Sequence, residues 1–317
     1  MSAPCISVVV IGRNESAHLY LCLASTEGLH DRPDDLELIY VDSGSTDDSC
    51  EIAARCGARV IELTEPPFTA ARGREAGWRR ARGKWIFFLD GDCVLTPDAL
   101  SVTEELRANP EVAVVWGVSR ERRPGASFLQ RVLELRYRGF PEGPGPLVGG
   151  NYFCRREALE AMDGFDETLT GGENANLGWR LRRAGRVVWH VEAPLVEFES
   201  GIDGLGAYWR RAIRFGQDEA LHLLRSRNFL SRLFDVGSAE RLKDLTTLLV
   251  GVLVAATGWI PWWGVLAAVL GLKIWRSRRK GSPGMVWLYV IHTQIHCLPM
   301  LLGLFGYLVQ APFRKSR

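Results

Sequence analysis

Excess charge is nearly absent from this sequence: 39 Lys and Arg against 37 Asp and Glu leave a net charge of +2 over 317 residues. A general polyanion partner is therefore not expected, and no nucleic acid is assigned to the chain. A zinc-ligand spacing and a disulfide framework are also missing, because Cys5, Cys22, Cys50, Cys56, Cys93, Cys154 and Cys297 are scattered. That scatter suits a reducing cytosol. No signal peptide is recognisable ahead of the first apolar run, since Met1 to Cys5 is short and lacks a basic flank, so the domain that follows is expected to stay on the side where it is made. A Gly-rich phosphate loop is lacking as well. Gly12-Arg13-Asn14-Glu15 has one glycine and an acid, which argues against a nucleotidyltransferase.

What the sequence does have is a set of buried strands that end in polar turns. Lys84-Trp85-Ile86-Phe87-Phe88-Leu89 runs into Asp90-Gly91-Asp92. Alternate residues at an extended strand end point the same way, so the two carboxylates can share one hard divalent cation. The glycine between them leaves room for a diphosphate to approach the backbone. This suits a nucleotide-sugar site; a solvated Asp-Gly-Asp turn is the other reading of the motif alone. Leu36 to Val41 is a second apolar run, followed by Asp42-Ser43-Gly44-Ser45-Thr46-Asp47-Asp48 and a capped helix start. Ile6 to Ile11 is a third, with Gly12 to Ser16 after it. Three strand ends thus present polar residues on one edge of one sheet, where ligands of open α/β sheets bind.

On these residues, with Gly149-Gly150-Asn151 and Gly164-Phe165-Asp166-Glu167 following in family order, the chain resembles a family 2 glycosyltransferase of the GT-A fold over about Ile6 to Glu199. The resemblance implies an α/β, Rossmann-like mixed sheet of the nucleotide-diphospho-sugar transferase kind and an inverting, metal-dependent transfer. Asp92 would hold Mg²⁺ or Mn²⁺, with Asp90 toward the ribose or the metal. Asp42 would read the base, uracil being the family's commonest, so a UDP-sugar is the expected donor; Asn14 and Glu15 join the nucleotide side. Thr69 to Trp78 is similar to the family's A-R-x-R-N-x-G run, which assigns nucleotide holding to Arg72 and secondarily to Arg74, with Glu75 in place of the usual Asn. A solvated helix face is the alternative for both arginines. Gly172-Glu173-Asn174-Ala175-Asn176-Leu177 is similar to G-E-D-x-D-L, whose acid takes the acceptor's proton. Both expected Asp positions here are Asn174 and Asn176, which cannot act as bases. Glu173 is the remaining candidate. The same departure keeps open a non-catalytic membrane scaffold. Gly149-Gly150 is expected either to let the acceptor approach the backbone or to form a tight connection.

The chain is read as residues 1–200, the GT-A domain; 201–244, amphipathic interfacial helices; and 245–317, hydrophobic membrane segments. Trp209, Arg210, Arg211 and Arg214 mix aromatic and basic character at helical spacing and are expected to face lipid and a lipid-linked or other membrane-borne acceptor. Leu245 to Leu272 has no charged residue over about 28 positions, and Gly281 to Phe313 none but two histidines over about 33. Both exceed the roughly 20 residues a spanning helix needs. Pro261 and Pro299 lie near their middles, and basic residues flank both stretches. Two kinked or re-entrant hairpins with cytoplasmic ends satisfy the positive-inside rule better than two simple spans. The expected location is the cell membrane, with the catalytic domain cytoplasmic.

Overall fold

A computed structural model describes residues 5–122, 140–147, 149–169 and 171–199, with a few isolated positions beyond. The described elements belong to one compact unit, Met1–Pro124 with Phe140–Gly201. A second unit, Gly125–Gly139 with Ile202–Arg317, holds the hydrophobic stretches, which lie outside the described residues except at Gly271 and Gly306.

The mixed α/β sheet expected from the sequence is present, in the order β3-β2-β1-β4-β8-β6-β9-β5 with β7 paired to β9. Its strands are β1 (Ile6–Gly12), β2 (Glu37–Asp42), β3 (Arg59–Glu62), β4 (Trp85–Asp90), β5 (Cys93–Leu95), β6 (Val112–Glu121), β7 (Gly143–Pro144), β8 (Tyr152–Arg155) and β9 (Val187–Phe198). The helices are α1 (Leu19–Ala24), α2 (Ser49–Arg55), α3 (Ala70–Arg80), α4 (Glu104–Ala108), α5 (Arg156–Ala161) and α6 (Glu173–Arg183). Strands β1 and β4 are continuous apolar runs because both faces are covered. Helix α3 starts at Thr69, whose Oγ1 accepts the Arg72 backbone N–H. It lies close on the sheet because Gly77 has no side chain: a methyl there would meet Val9 and, at 3.1 Å, Val41.

The first four strands are parallel, and the chain winds outward from β1 to β3 before returning to β4 on the other side of β1. That reversal opens a crevice at the carboxyl ends of β1 and β4. Register decides what lines it. Gly12 pairs with Asp42 and Ile11 with Asp90, so the two aspartates flank the end of β1. Beyond β4 the pairing becomes antiparallel, Phe88 facing Tyr152 on β8. Aromatic contacts weld this boundary: Phe87 and Phe153 rings are 4.4 Å apart, and Phe88 packs on Tyr152 and Phe165 at 5.3 Å each. Each such ring contributes about 2–3 kcal/mol by burial, which makes the strand that carries Asp90 one of the best-anchored parts of the fold.

Candidate active site

The loops after β1 and β2 are sewn together by side chains. Asn14, at a positive φ of 57°, donates its backbone N–H to Ser45 Oγ and accepts from Thr46 N through Oδ1, both at 2.8 Å. Glu15 N–H donates to Ser49 Oγ at 2.9 Å. Asp47 accepts from Ser16 N, Ser49 N and Ser49 Oγ. The serine bonds are the main reason its carboxyl is held down at about 2. Asp42 is only 2% exposed and accepts from Ser45 N, Ser45 Oγ and the Tyr40 hydroxyl, so in this state it shapes its own turn. Beside that turn Phe68 closes on Gly44, and the Arg13 guanidinium lies 5.1 Å over the Phe68 ring. The sequence reading missed this pair, because neither residue belongs to a motif.

Glu15 reaches the crevice between Gly12 and Gly91. A methyl on Gly91 would stand 3.1 Å from Glu15 Cγ and 3.2 Å from the Ile11 carbonyl, and Gly91 itself is buried. The space expected for a diphosphate at Gly91 is therefore filled by Glu15. Burial, then the charges of Asp92, Asp90 and Asp47, push the Glu15 carboxyl up to about 7. Such crowding of acids is what a bound cation relieves.

Asp90 and Asp92 meet that requirement differently. Asp92 is exposed at the mouth. Asp90, with its side chain 36% exposed, has its backbone N–H bound to Asn151 Oδ1 at 2.8 Å and its Oδ1 bound by Arg74. Burial pushes the Asp90 carboxyl up; Arg74 opposes this, while Asp92 and Glu173 add to it. Cys22 and Cys93 adjoin these acids, with Sγ on the Asp90 carbonyl and on Asp92 Oδ1, and burial followed by the aspartate charges keeps both thiols protonated. The donors on offer are therefore hard oxygens, which fit Mg²⁺ or Mn²⁺ rather than a thiolate-seeking metal. Among the described residues no three His, Cys, Asp or Glu form a complete ligand set, and a hard cation completes its shell with water or ligand oxygens.

The two arginines of α3 divide their work. Arg72 Nη1 donates to the carbonyls of Glu65 at 2.6 Å and Pro67 at 2.9 Å, and its Nε lies 3.6 Å from Glu167. Its guanidinium braces the loop ahead of α3. Arg74, the second choice for nucleotide holding, is 2% exposed and bound to Asp90 and Glu173, so its guanidinium is turned away from solvent. Glu75, where an Asn was expected, accepts from Trp78 Nε1 at 2.6 Å and Phe165 N at 2.8 Å, and pairs with Arg79. It pins the Gly164-Phe165 turn to α3; Gly164 has a φ of +65° and leaves no room for a side chain against Glu75.

Glu173 opens α6, where the helix N-terminus favours an anion. Its Oε1 accepts from Arg74 Nη1 and Asn174 Nδ2, both at 2.8 Å, and nothing among the described residues donates to Oε2. Asn174 in turn accepts from the Tyr152 hydroxyl at 2.8 Å. Asn176 accepts from Arg180 Nε, while the Arg180 Nη atoms donate to the carbonyls of Met162 and Gly164. The amides at the two expected acid positions thus hold α6 and Glu173 in place. Gly150 stands against Asp90 and Arg74, and its lack of a side chain permits that contact. Of the basic and aromatic residues after the domain, Trp209 is half-buried and Arg210 exposed; Arg211 and Arg214 lie outside the described residues. Among the described residues no helix is long and apolar enough to cross a membrane.

The chain is similar to known proteins. A model of Glycosyl transferase family 2 matches residues 7–161, and one of Glycosyl transferase family group 2 matches residues 85–306. The succinoglycan biosynthesis protein ExoA of Rhizobium meliloti (strain 1021) is 24% identical over 299 residues, 87% of this chain and 87% of that protein. The pre-mycofactocin glycosyltransferase of Mycobacterium tuberculosis is 29% identical over 206 residues; the match covers 60% of this chain and 42% of that relative. Among solved structures, the mannosyltransferase PcManGT from Pyrobaculum calidifontis, in complex with GDP-Man and Mn²⁺, has a TM-score of 0.64 at 20% identity, over 96% of this chain and 88% of that one. S. aureus TarS 1-349, in complex with UDP-GlcNAc, has a TM-score of 0.52 at 15% identity, over 95% and 92%. Both show likeness of fold.

Proposed function

We propose that this chain, which belongs to glycosyl transferase family group 2, moves a sugar with inversion from a nucleotide-diphosphate sugar to a lipid-linked or other membrane-borne acceptor. The observation that carries the reading is the single Arg74 guanidinium joining Asp90, at the end of β4, to Glu173, at the start of α6, with the exposed Asp92 two residues beyond Asp90. Asp92 and the open side of Asp90 would hold Mg²⁺ or Mn²⁺, which when bound neutralises charge on the departing diphosphate. The Ser43–Ser45 turn that Asp42 shapes supports the nucleoside, with a UDP-sugar as the first donor to try. Glu173, with Oε2 unoccupied among the described residues, takes the proton from the acceptor hydroxyl. Asn174 and Tyr152 keep that carboxylate aimed.

The charge-free stretches 245–272 and 281–313 support attachment to the cell membrane with the catalytic domain on the cytoplasmic side, and the family match reaches residue 306. Residues 201–244, including Trp209, Arg210, Arg211 and Arg214, would then meet lipid phosphates and the membrane-borne acceptor at the interface. The test is turnover of nucleotide sugars by membranes carrying the full chain, with and without divalent metal, for wild type and Glu173→Gln. The expected result is metal-dependent transfer that falls roughly 10²-fold or more in Glu173→Gln while donor affinity stays near normal. Full turnover by Glu173→Gln would move the base elsewhere. Donor binding without any transfer by the wild type would favour the scaffold.

A further inference from the structure

Arg74 has an unusual set of partners. Its Nη1 donates to Glu173 Oε1 at 2.8 Å and its Nη2 to Asp90 Oδ1 at 2.6 Å, with a longer bond from Nη2 to the Gly150 carbonyl at 3.3 Å. Its Nε is buried without a partner among the described residues. A guanidinium that only neutralised one acid would offer it two parallel N–H groups. Here the fork is split between two acids that lie 16 and 99 residues away in sequence, and one donor is left stranded. The arrangement has also shaped its surroundings, since a methyl on Gly150 would come within 2.5 Å of both Arg74 Nη2 and Asp90 Oδ2.

We propose that Arg74 is a positioning residue that couples the cation side of the site to the base side. It shares one positive charge between Asp90 and Glu173, so whatever draws on one carboxylate changes its hold on the other. A cation that engages Asp90 competes with Nη2 and tightens the hold of Nη1 on Glu173. Linkage requires the reverse as well: a change at Glu173 that releases Nη1 commits the guanidinium to Asp90 and weakens cation binding by the same factor. The roles given to Asp90 and Glu173 rest on the proposed function; the split fork itself does not.

The test reads binding, not transfer. Mn²⁺ is titrated against the full chain in the presence of UDP or GDP, whichever binds, and free Mn²⁺ is followed by electron paramagnetic resonance. Glu173→Asp keeps the charge but withdraws the carboxylate by one methylene from Arg74. It is expected to weaken Mn²⁺ binding roughly five- to tenfold. In an Arg74→Lys background the same Glu173→Asp change is expected to shift binding less than about twofold, because an ammonium is a point charge that does not span two acids as a planar fork does. Arg74→Lys also preserves the buried charge where Arg74→Gln risks misfolding. Unchanged Mn²⁺ binding in Glu173→Asp, or an equal effect in both backgrounds, would overturn the coupling. Coupling observed in a chain that never transfers sugar would refute the catalytic reading and leave the bridge standing.

Discussion

Gly150→Ala probes the centre of the site with one methyl group. The added carbon would lie 2.5 Å from Arg74 Nη2, 2.5 Å from Asp90 Oδ2 and 3.1 Å from Asp90 Oδ1. Gly150 is not among the glycines with positive φ, so no backbone strain enters. Non-bonded contacts of this kind settle near 3.5 Å, and about 1 Å must be found on two sides at once. Arg74 cannot swing away, being 2% exposed and tied to Glu173. Asp90 is held through its backbone by Asn151. Overpacking of this sort costs about 1–3 kcal/mol, and breaking a fully buried pair about 3–5 kcal/mol. Because Asp90 is 36% exposed and regains water, a loss near 2 kcal/mol is expected, equivalent to about 4–8 °C in Tm for a unit of this size. Displacing Asp90 and Glu173 by about 1 Å should cost roughly 10²-fold in turnover. Gly149→Ala is the control: its φ of +92° is strained for alanine, yet among the described residues no atom beyond its chain neighbours lies within 4 Å, so stability should fall while turnover holds. Thermal melts and initial rates at saturating donor separate the two. A Gly150→Ala protein with wild-type melting and wild-type turnover would refute the packing argument.

Other consequences are equally direct. Asp92→Asn should leave melting unchanged, because Asp92 is exposed, but should abolish transfer and the metal-dependent part of nucleotide binding; retained turnover would remove Asp92 from the metal site. Glu15 gives a pH signature in metal-free buffer. Its folded carboxyl keeps its proton up to about 7 against 4.5 for an ordinary glutamate, so stability falls as pH rises through that window. Discounted for partial exposure, the loss is about 1 kcal/mol, and urea midpoints of Glu15→Gln should lack the slope; an identical slope in both proteins would exclude Glu15 as its source. Glu75→Ala strands the Trp78 indole N–H and the Phe165 amide, each at about 1–3 kcal/mol, and should lower the melting temperature more than Arg79→Ala does. Equal effects would mean that the ion pair, not the buried hydrogen bonds, carries the contribution of Glu75.

The residues that local chemistry governs were legible in the sequence. Apolar runs at Ile6, Leu36 and Trp85 specified buried strands, and acids at their ends specified a polar edge, because strand burial and the two-residue alternation are local properties. The D-G-D acids were placed at a strand end by the same local properties, whereas Glu173 was singled out only by resemblance to the G-E-D-x-D-L segment. What the tertiary structure decided was pairing across long separations. Register brought Asp42 and Asp90 to either side of β1, and the docking of α3 on β1 and β2 turned Arg74 inward toward Asp90 and Glu173 and left Arg72 on loop carbonyls. Two arginines two residues apart on one helix have no sequence signal that tells which meets a ligand and which a buried acid, since a helix turns about 200° between them. Glu75 and the asparagines of α6 took their roles from Trp78, Phe165, Tyr152 and Arg180. Trp78 and Arg180 are one helical turn away, but Phe165 and Tyr152 reached their places only when sheet and helices packed. Hydrogen-bond partners are chosen by three-dimensional proximity, and proximity is what a linear pattern does not contain.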